Sequence, residues 1–303
     1  MGGGGDPSYI PLASSDADRW LMGARKGRIH PAHREDGAMT GSDPLPVVFL
    51  PGGVTPVALS YAPVLKVLGD EIAPLLRDLE VYEGDAPPAG YSIPMEVDAL
   101  ERSVDAAGLE TFHLVGYSGG GAVSLSFAAR HPDRLRSLAI FEPANVPGLW
   151  DPTEHQELAA MEAMPPEQMM GEFTRRQLRP GVEPPAQPPG PPPPWMAKRP
   201  AGLRAMMRAF EEDDTDREGL RQCAFPIYLG YGLLTSEMMV RRIVLLANVL
   251  PDVWIQAYEG VHHFAPPQRS QPEKYAAALR ELWARAERDR VAPKTDGDRG
   301  YAA

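Results

Sequence analysis

The sequence predicts an α/β fold, a mostly parallel, doubly wound sheet with a helical segment inserted between its two halves. Three observations carry that expectation: short apolar runs alternate with helical patterns up to about residue 142, the rhythm breaks near 145, and it returns near 223. Strand, helix, strand at such spacing requires right-handed crossovers and therefore parallel neighbours. The 303 residues, 43% hydrophobic and 23% charged, are enough for one large domain carrying an insertion.

Residues 1–17, rich in Gly, Ser and Asp, are expected to form a disordered tail. "RWLMGARKGRIHPAHRED" reads as a hairpin around Lys26 and Gly27, with Pro31 tolerable only on an edge strand. "PVVFLPGG" has the continuous apolar character of a strand buried on both faces, and a helix is expected near 56–69. There follow a strand "LEVYEG", a helix over about 93–107 capped by Ser92, a strand "TFHLVGYS", a helix over about 119–130 and a strand "SLAIFEPA".

The core is thus expected over 18–144 and 223–290, with the insertion over 145–222. Within the insertion a Met-rich helical stretch precedes "RPGVEPPAQPPGPPPPWMAKRP". Ten prolines in these 22 residues exclude a sheet or helix and predict a polyproline-like strap over 180–200. A short helix is expected at about 201–213. The sheet resumes with "AFPIYLGYG", a helix through "SEMMVRRIVLLANVL" and a strand "VWIQAYEG". In the last helix Tyr275, Leu279, Leu282 and Trp283 share one face, which should pack on the sheet; residues 291–303 read as a flexible tail. There is no internal repeat.

A formal net charge of -11 disfavours a nucleic-acid partner, which would need a basic footprint to displace counterions, and leaves a small molecule as the expected ligand. The single cysteine, Cys223, allows no intramolecular disulfide, suits a reducing compartment and reads as a core residue. The N-terminal stretch has neither the basic nor the apolar region of a signal peptide, and no apolar run reaches membrane-spanning length. A cytoplasmic protein without membrane association is expected; oligomeric state is not readable.

The chemistry concentrates in "LVGYSGGGAV". Gly116, Ser118 and Gly120 have the G-x-S-x-G spacing, after an apolar strand and before a helical pattern. That context places a serine on a tight strand-to-helix turn with its Oγ out of the sheet, where the surrounding glycines let backbones pass. The helix N-terminus behind it supplies backbone N–H groups, that of Gly119 foremost, to stabilise an oxyanion.

With "VVFLPGG", "LVGYSGGGAVSLSFAARHPDRLRSLAIFEPA", "FPIYLGYG" and "GVHHFAPP" in order, the chain resembles the α/β-hydrolase superfamily over roughly residues 19–289. The resemblance implies a serine nucleophile, a histidine near the C-terminus, an acid between them in the chain, and a helical cap where the 145–222 insertion lies. "LPGG" resembles the family's oxyanion loop with Pro51 in place of a histidine; its donor would be the N–H of Gly53, or of Val54 if the loop is shifted by one. In "GVHHF", His263 matches the family's histidine and would be the general base, with His262 a structural or pocket-lining neighbour.

The acid is less direct. The loop after "FPIYLGYG" shows Thr235 and Ser236 where a carboxylate is expected. Glu142, ending the previous strand, is the leading candidate, because strand ends in an open α/β sheet face a common crevice and the resemblance implies that some members place their acid there. Glu237 is the competitor, although at a helix start it serves equally as a dipole partner.

His30, His33, His113, His131 and His155 have no ligand at metal-binding spacing, and no Gly-rich stretch fits a dinucleotide fingerprint, so neither metal nor cofactor is expected. The seven methionines of the insertion (Met161, Met164, Met169, Met170, Met196, Met206 and Met207) suit either an adaptable apolar pocket or simple glue between short helices. "EEDDTD" at 211–216 reads as a solvated charged face. The functional expectation is an esterase-like serine hydrolase acting through an acyl-enzyme on a small, fairly hydrophobic ester or related acyl compound, with lactone opening or perhydrolysis open to the same residues. The rival is an α/β-hydrolase scaffold that binds a small molecule or guides a non-hydrolytic step.

Overall fold

Six parallel strands run in the order β2-β1-β3-β4-β5-β6 through a computed structural model that describes residues 43–147, 152–186 and 190–291. The strands are β1 (Leu45–Leu50), β2 (Ile72–Leu76), β3 (Phe112–Tyr117), β4 (Leu135–Phe141), β5 (Ile227–Gly232) and β6 (Val253–Tyr258). The expectations for residues 1–17, for the hairpin around Lys26 and for the tail beyond 291 lie outside the described residues. Among those described, no helix is long and apolar enough to cross a membrane.

β1, β3, β4 and β5 are interior strands, which is why their sequences are nearly unbroken apolar runs. Alternate side chains feed two layers. Phe49, Val115, Tyr117 and Phe141 join Val57, Tyr61 and Val64 of α1 (Val57–Leu68) and Tyr275, Leu279, Leu282 and Trp283 of the last helix, α10 (Pro272–Val291), in one core. Leu50 and Ile140 face the other way, against the glycine turn of α3 (Gly119–Arg130), which packs beside α2 (Ile93–Ala106). Ser92 caps α2 by accepting the Met95 N–H at 3.4 Å.

One strand lies elsewhere than the sequence predicts. "LEVYEG" is not β2; that strand is "IAPLL", an edge strand that tolerates Pro74, and Glu80–Tyr82 form a single 3-10 turn. The buried Glu96 carboxylate explains the difference. It accepts the N–H groups of Glu80 at 2.9 Å and Val81 at 3.1 Å, so a side chain satisfies the backbone that a neighbouring strand would otherwise pair.

Between β4 and β5 the chain forms α4 (Pro152–Glu162), α5 (Pro166–Arg176), α6 (Arg199–Glu211) and α7 (Arg217–Arg221). Met161, Met169, Leu203 and Met207 form a small core of their own with Met164, Met170, Phe173 and Val54 against it. The proline tract is not wholly free of helix. Pro194 begins a 3-10 turn and Pro200 sits in the first turn of α6, where a missing N–H costs nothing. Nor is 211–216 only a solvated face: Asp213 accepts from Asn145 at 3.0 Å, Thr215 bonds to Ser126 at 2.7 Å, and Asp216 caps α7. Cys223 is buried against the carbonyls of Ala128 and Gly219, and burial pushes its thiol up to about 11.

Candidate active site

The strand order reverses direction at β1, so the ends of β1 and β3 flank a crevice of the kind in which open α/β sheets place ligands. Gly52 and Gly53 leave β1, and Ser118 leaves β3. Ser118 has φ 52°, a left-handed conformation unusual for a residue with a side chain. The turn is possible because its neighbours are bare. A Cβ on Gly116 would lie 2.4 Å from Ser124 Oγ, and one on Gly120 2.5 Å from the Pro51 carbonyl oxygen, which accepts the Gly120 N–H at 2.9 Å.

His263 follows β6. Its Nε2 lies 3.0 Å from Ser118 Oγ and its Nδ1 2.8 Å from Glu142 Oε2. All three side chains are nearly or fully buried. The Glu142 backbone is also left-handed, at φ 44°, and its second oxygen accepts the Gly232 N–H at 2.7 Å. Tyr117 donates its hydroxyl to the His263 carbonyl oxygen, which holds the histidine from behind. Burial, together with the Glu142 charge, pushes that phenol far above its ordinary value, so it remains a donor. With Nδ1 protonated toward the carboxylate, Nε2 is left to accept the Ser118 proton, an arrangement that can turn a hydroxyl into a nucleophile.

The other candidates fall elsewhere. Glu237 is exposed at the first position of α8 (Glu237–Val249). Thr235 and Ser236 pair with the segment before the proline tract: Leu178 and Thr235 form an antiparallel bridge, and the Ser236 N–H donates to the Gln177 carbonyl oxygen. The half-buried His262 has its Nδ1 turned to the Phe264 N–H at 3.2 Å; burial lowers its pKa, with the Glu142 charge opposing.

Gly53 and Gly119 are brought face to face. The Gly53 nitrogen lies 3.5 Å from the position a Cβ on Gly119 would take, beside Ser118. Over them lies α6: that same Cβ would come 2.3 Å from Met206 Cε, and a Cβ on Gly53 2.9 Å from Leu203 Cδ2. Tyr82, in the turn misread as a strand, donates to the Gly53 carbonyl oxygen at 2.5 Å. The Arg199 guanidinium stacks 3.7 Å over its ring, and Gly202 lets α6 come against it. Burial raises the Tyr82 phenol to about 12, with Arg199 opposing, so it too stays protonated. No sequence signal marked Tyr82 or Arg199, since their pairing arises only when α6 meets the 3-10 turn.

Two cavities adjoin these residues. One, of about 50 Å³, opens on Ser118 and His263 and is walled by Gly52–Thr55, Ser60, Tyr117, Phe264 and Arg269. The other, of about 70 Å³, is walled by the apolar Leu158, Met161, Met207, Phe210 and Met238 together with the charged Glu154, Arg176 and Arg242, and Phe173 borders both. Of the insertion's methionines, Met161 and Met207 line this second cavity, and both also belong with Met164, Met169 and Met170 to the small core between the helices. Among the described residues no cluster of side chains has the composition of a metal site.

The model of the alpha/beta hydrolase fold matches residues 46–182. Monoacylglycerol lipase abhd6-A of Xenopus laevis is 36% identical over 105 residues, 33% of this chain and 30% of that lipase. A putative carbamate hydrolase, RutD of Caulobacter segnis, is 32% identical over 100 residues, 31% of this chain and 36% of that protein. These alignments span only about a third of the curated relatives' length. Among solved structures, a thermophilic esterase from Thermogutta terrifontis superposes with a TM-score of 0.62 at 19% identity, over 80% of this chain and 90% of that one, a likeness of fold.

Proposed function

From the premise that the chain belongs to the α/β-hydrolase superfamily, we propose that it is a serine hydrolase that cleaves a small, fairly hydrophobic ester or related acyl compound through an acyl-enzyme. The observation that carries this reading is the continuous line from Ser118 Oγ through His263 to Glu142, at 3.0 and 2.8 Å, facing a cavity.

Ser118 Oγ attacks the acyl carbon as His263 Nε2 takes its proton; Glu142 holds the tautomer and balances the imidazolium. The carbonyl oxygen, now an oxyanion, receives the N–H groups of Gly53 and Gly119. Collapse expels the alcohol with the proton returned from His263, and water, deprotonated by the same ring, releases the acid. Residues 145–222 act as the cap: α6 roofs the Gly53 loop, and the methionine-lined chamber beside Phe173 takes the apolar part of the substrate. The lone buried Cys223 fits a cytoplasmic enzyme.

A second reading, a scaffold that binds a small molecule without acylation, is favoured by one observation: Met206 Cε crowds Gly119, 2.3 Å from the position a Cβ there would take. A fluorophosphonate probe separates the two. Labelling of the wild type but not of Ser118→Ala, with turnover of p-nitrophenyl esters in a series of chain lengths, supports the hydrolase. A folded protein that resists the probe supports the binder.

A further inference from the structure

The cavity in front of Ser118 holds polar groups that acyl transfer does not use. Arg269, on the short helix α9 (Pro267–Ser270), lines it, and its guanidinium has neither an ion-pair nor a hydrogen-bond partner among the described residues. Ser60, from α1, lines the same cavity with 0% of its surface exposed and its Oγ without a hydrogen-bond partner among the described residues. A buried hydroxyl left unpaired is uncommon in a folded protein and calls for a ligand or an ordered water to complete it. The half-buried Thr55 adds a second hydroxyl to that wall.

Among the described residues no carboxylate lines this cavity: Glu142 is fully buried behind His263 with both oxygens engaged, and Asp78 accepts the Val57 N–H at 2.8 Å. Thus the free charge facing the cavity is positive, although the whole chain carries -11. A guanidinium binds a carboxylate through paired N–H donors, and a hydroxyl opposite it can donate a further bond.

We propose that this part of the cavity is a carboxylate subsite: the ester cleaved at Ser118 carries a second, ionised carboxylate a few atoms from its scissile carbonyl, held by Arg269 and Ser60. The inference rests on the hydrolase reading and narrows its substrate class to acid esters. The carboxylate belongs either to the acyl half, as in half-esters of short dicarboxylic acids, or to the alcohol half.

Two pairs of esters of matched shape test it, each read as the ratio of kcat/KM for the anionic to the neutral member, after subtraction of spontaneous hydrolysis. Monophenyl succinate against phenyl 4-methylpentanoate probes the acyl half; 3-carboxyphenyl butanoate against 3-isopropylphenyl butanoate probes the alcohol half. Arg269 is exposed, so Arg269→Gln should fold with an unchanged Tm. In one pair its ratio should fall about tenfold, as expected for a lost charge-assisted hydrogen bond. Ser60→Ala should lower the same ratio less, and Arg269→Lys should restore part of it. A ratio that Arg269→Gln leaves unmoved in both pairs overturns the subsite. A titration of succinate into Ser118→Ala needs no turnover: the subsite requires binding that weakens about tenfold when Arg269→Gln is added, and absence of binding refutes it. Ser118 labelled by a fluorophosphonate with unmoved ratios defeats only this inference. An unlabelled Ser118 defeats the hydrolase reading and leaves the succinate titration to decide the subsite.

Discussion

His263 Nδ1 and Glu142 Oε2 stand 2.8 Å apart although 121 positions separate them, because β4, β5 and β6 are successive strands of the sheet and Glu142, after β4, and His263, after β6, both sit at its carboxyl end. The other Glu142 oxygen takes the Gly232 N–H. In Glu142→Gln, an amide that keeps its oxygen on Gly232 turns its NH2 toward Nδ1, which must then accept. The ring proton moves to Nε2, and the base toward Ser118 is lost. We expect kcat to fall by about 10²- to 10⁴-fold with little change in KM, and Glu237→Gln to be nearly silent. An active Glu142→Gln beside a crippled Glu237→Gln would reverse the assignment.

Ser118→Ala should abolish ester turnover and leave thermal stability nearly unchanged, since the turn depends on the glycines around it and not on the hydroxyl. His263→Ala should be comparably inactive. His262→Ala should keep most of the activity, because its Nδ1 bonds to the Phe264 N–H and it faces neither Ser118 nor Glu142 in the hydrogen-bonded line. Initial rates on one p-nitrophenyl ester rank the two histidines, and the reverse order would break the proposed line.

Much of this was legible because it is local. The strand runs other than "LEVYEG", the glycine spacing around Ser118 and the apolar face of α10 depend on neighbours in sequence, and these appear where expected. Glu142 was reachable by a sheet argument, since a neighbouring strand end must share the crevice. The misreading of "LEVYEG" has the opposite cause. Its backbone is satisfied by Glu96, a partner on another element, and no pattern within the stretch shows that. Tyr82, Arg199 and the free guanidinium of Arg269 stayed hidden for the same reason: each acquires its meaning from a residue distant in the chain.

Tyr82 fixes the peptide that follows Gly53 through its 2.5 Å bond to the carbonyl oxygen, so Tyr82→Phe should loosen the proposed oxyanion loop while Arg199 still stacks on the ring. The expected result is a kcat lowered about tenfold with KM within about twofold, since the loss acts on a group that works mainly in the transition state. A higher KM at constant kcat would instead place Tyr82 in substrate binding.

Glu96→Gln should be far more damaging than its isosteric shape suggests. The two carboxylate oxygens accept from Glu80 and Val81 N–H, Arg77 and the Tyr91 hydroxyl, all donors. An amide NH2 must face one pair of these donors and leave them unsatisfied. Stability should fall by roughly 2–4 kcal/mol, at about 1–3 kcal/mol per stranded buried group, as read by urea denaturation. A loss below about 0.5 kcal/mol, the range of an inert surface change, would contradict this account of the turn.

Stability should also fall on mild acidification, through His113. This fully buried residue of β3 has Nδ1 2.8 Å from Ser137 Oγ, and Nε2 3.3 Å from Glu287 Oε1 in an alignment short of a hydrogen bond. Burial is the main influence and lowers its pKa; Glu287 opposes, while Arg136 and Arg290 add to the lowering. Glu287 itself is held at about 2, chiefly by the His113 ring and then by Arg136, and so stays ionised throughout the range in question. The folded protein therefore keeps His113 neutral at a pH where the unfolded chain, with an ordinary histidine pKa of about 6.5, has begun to bind a proton. Because the unfolded state then holds more protons, stability rises with pH. The contribution is complete above about pH 6.5 and is lost as pH falls toward the folded pKa, at up to about 1.4 kcal/mol per pH unit for one proton. His262, also lowered, acts in the same direction. Urea denaturation between about pH 5.5 and 7.5 should show this slope in the wild type and a shallower one in His113→Gln, even though that variant starts less stable. Equal slopes would mean that His113 titrates alike in the folded and unfolded chain, and a wild-type slope shallower than that of His113→Gln would mean that the folded protein holds His113 protonated in an ion pair with Glu287; either result overturns this account.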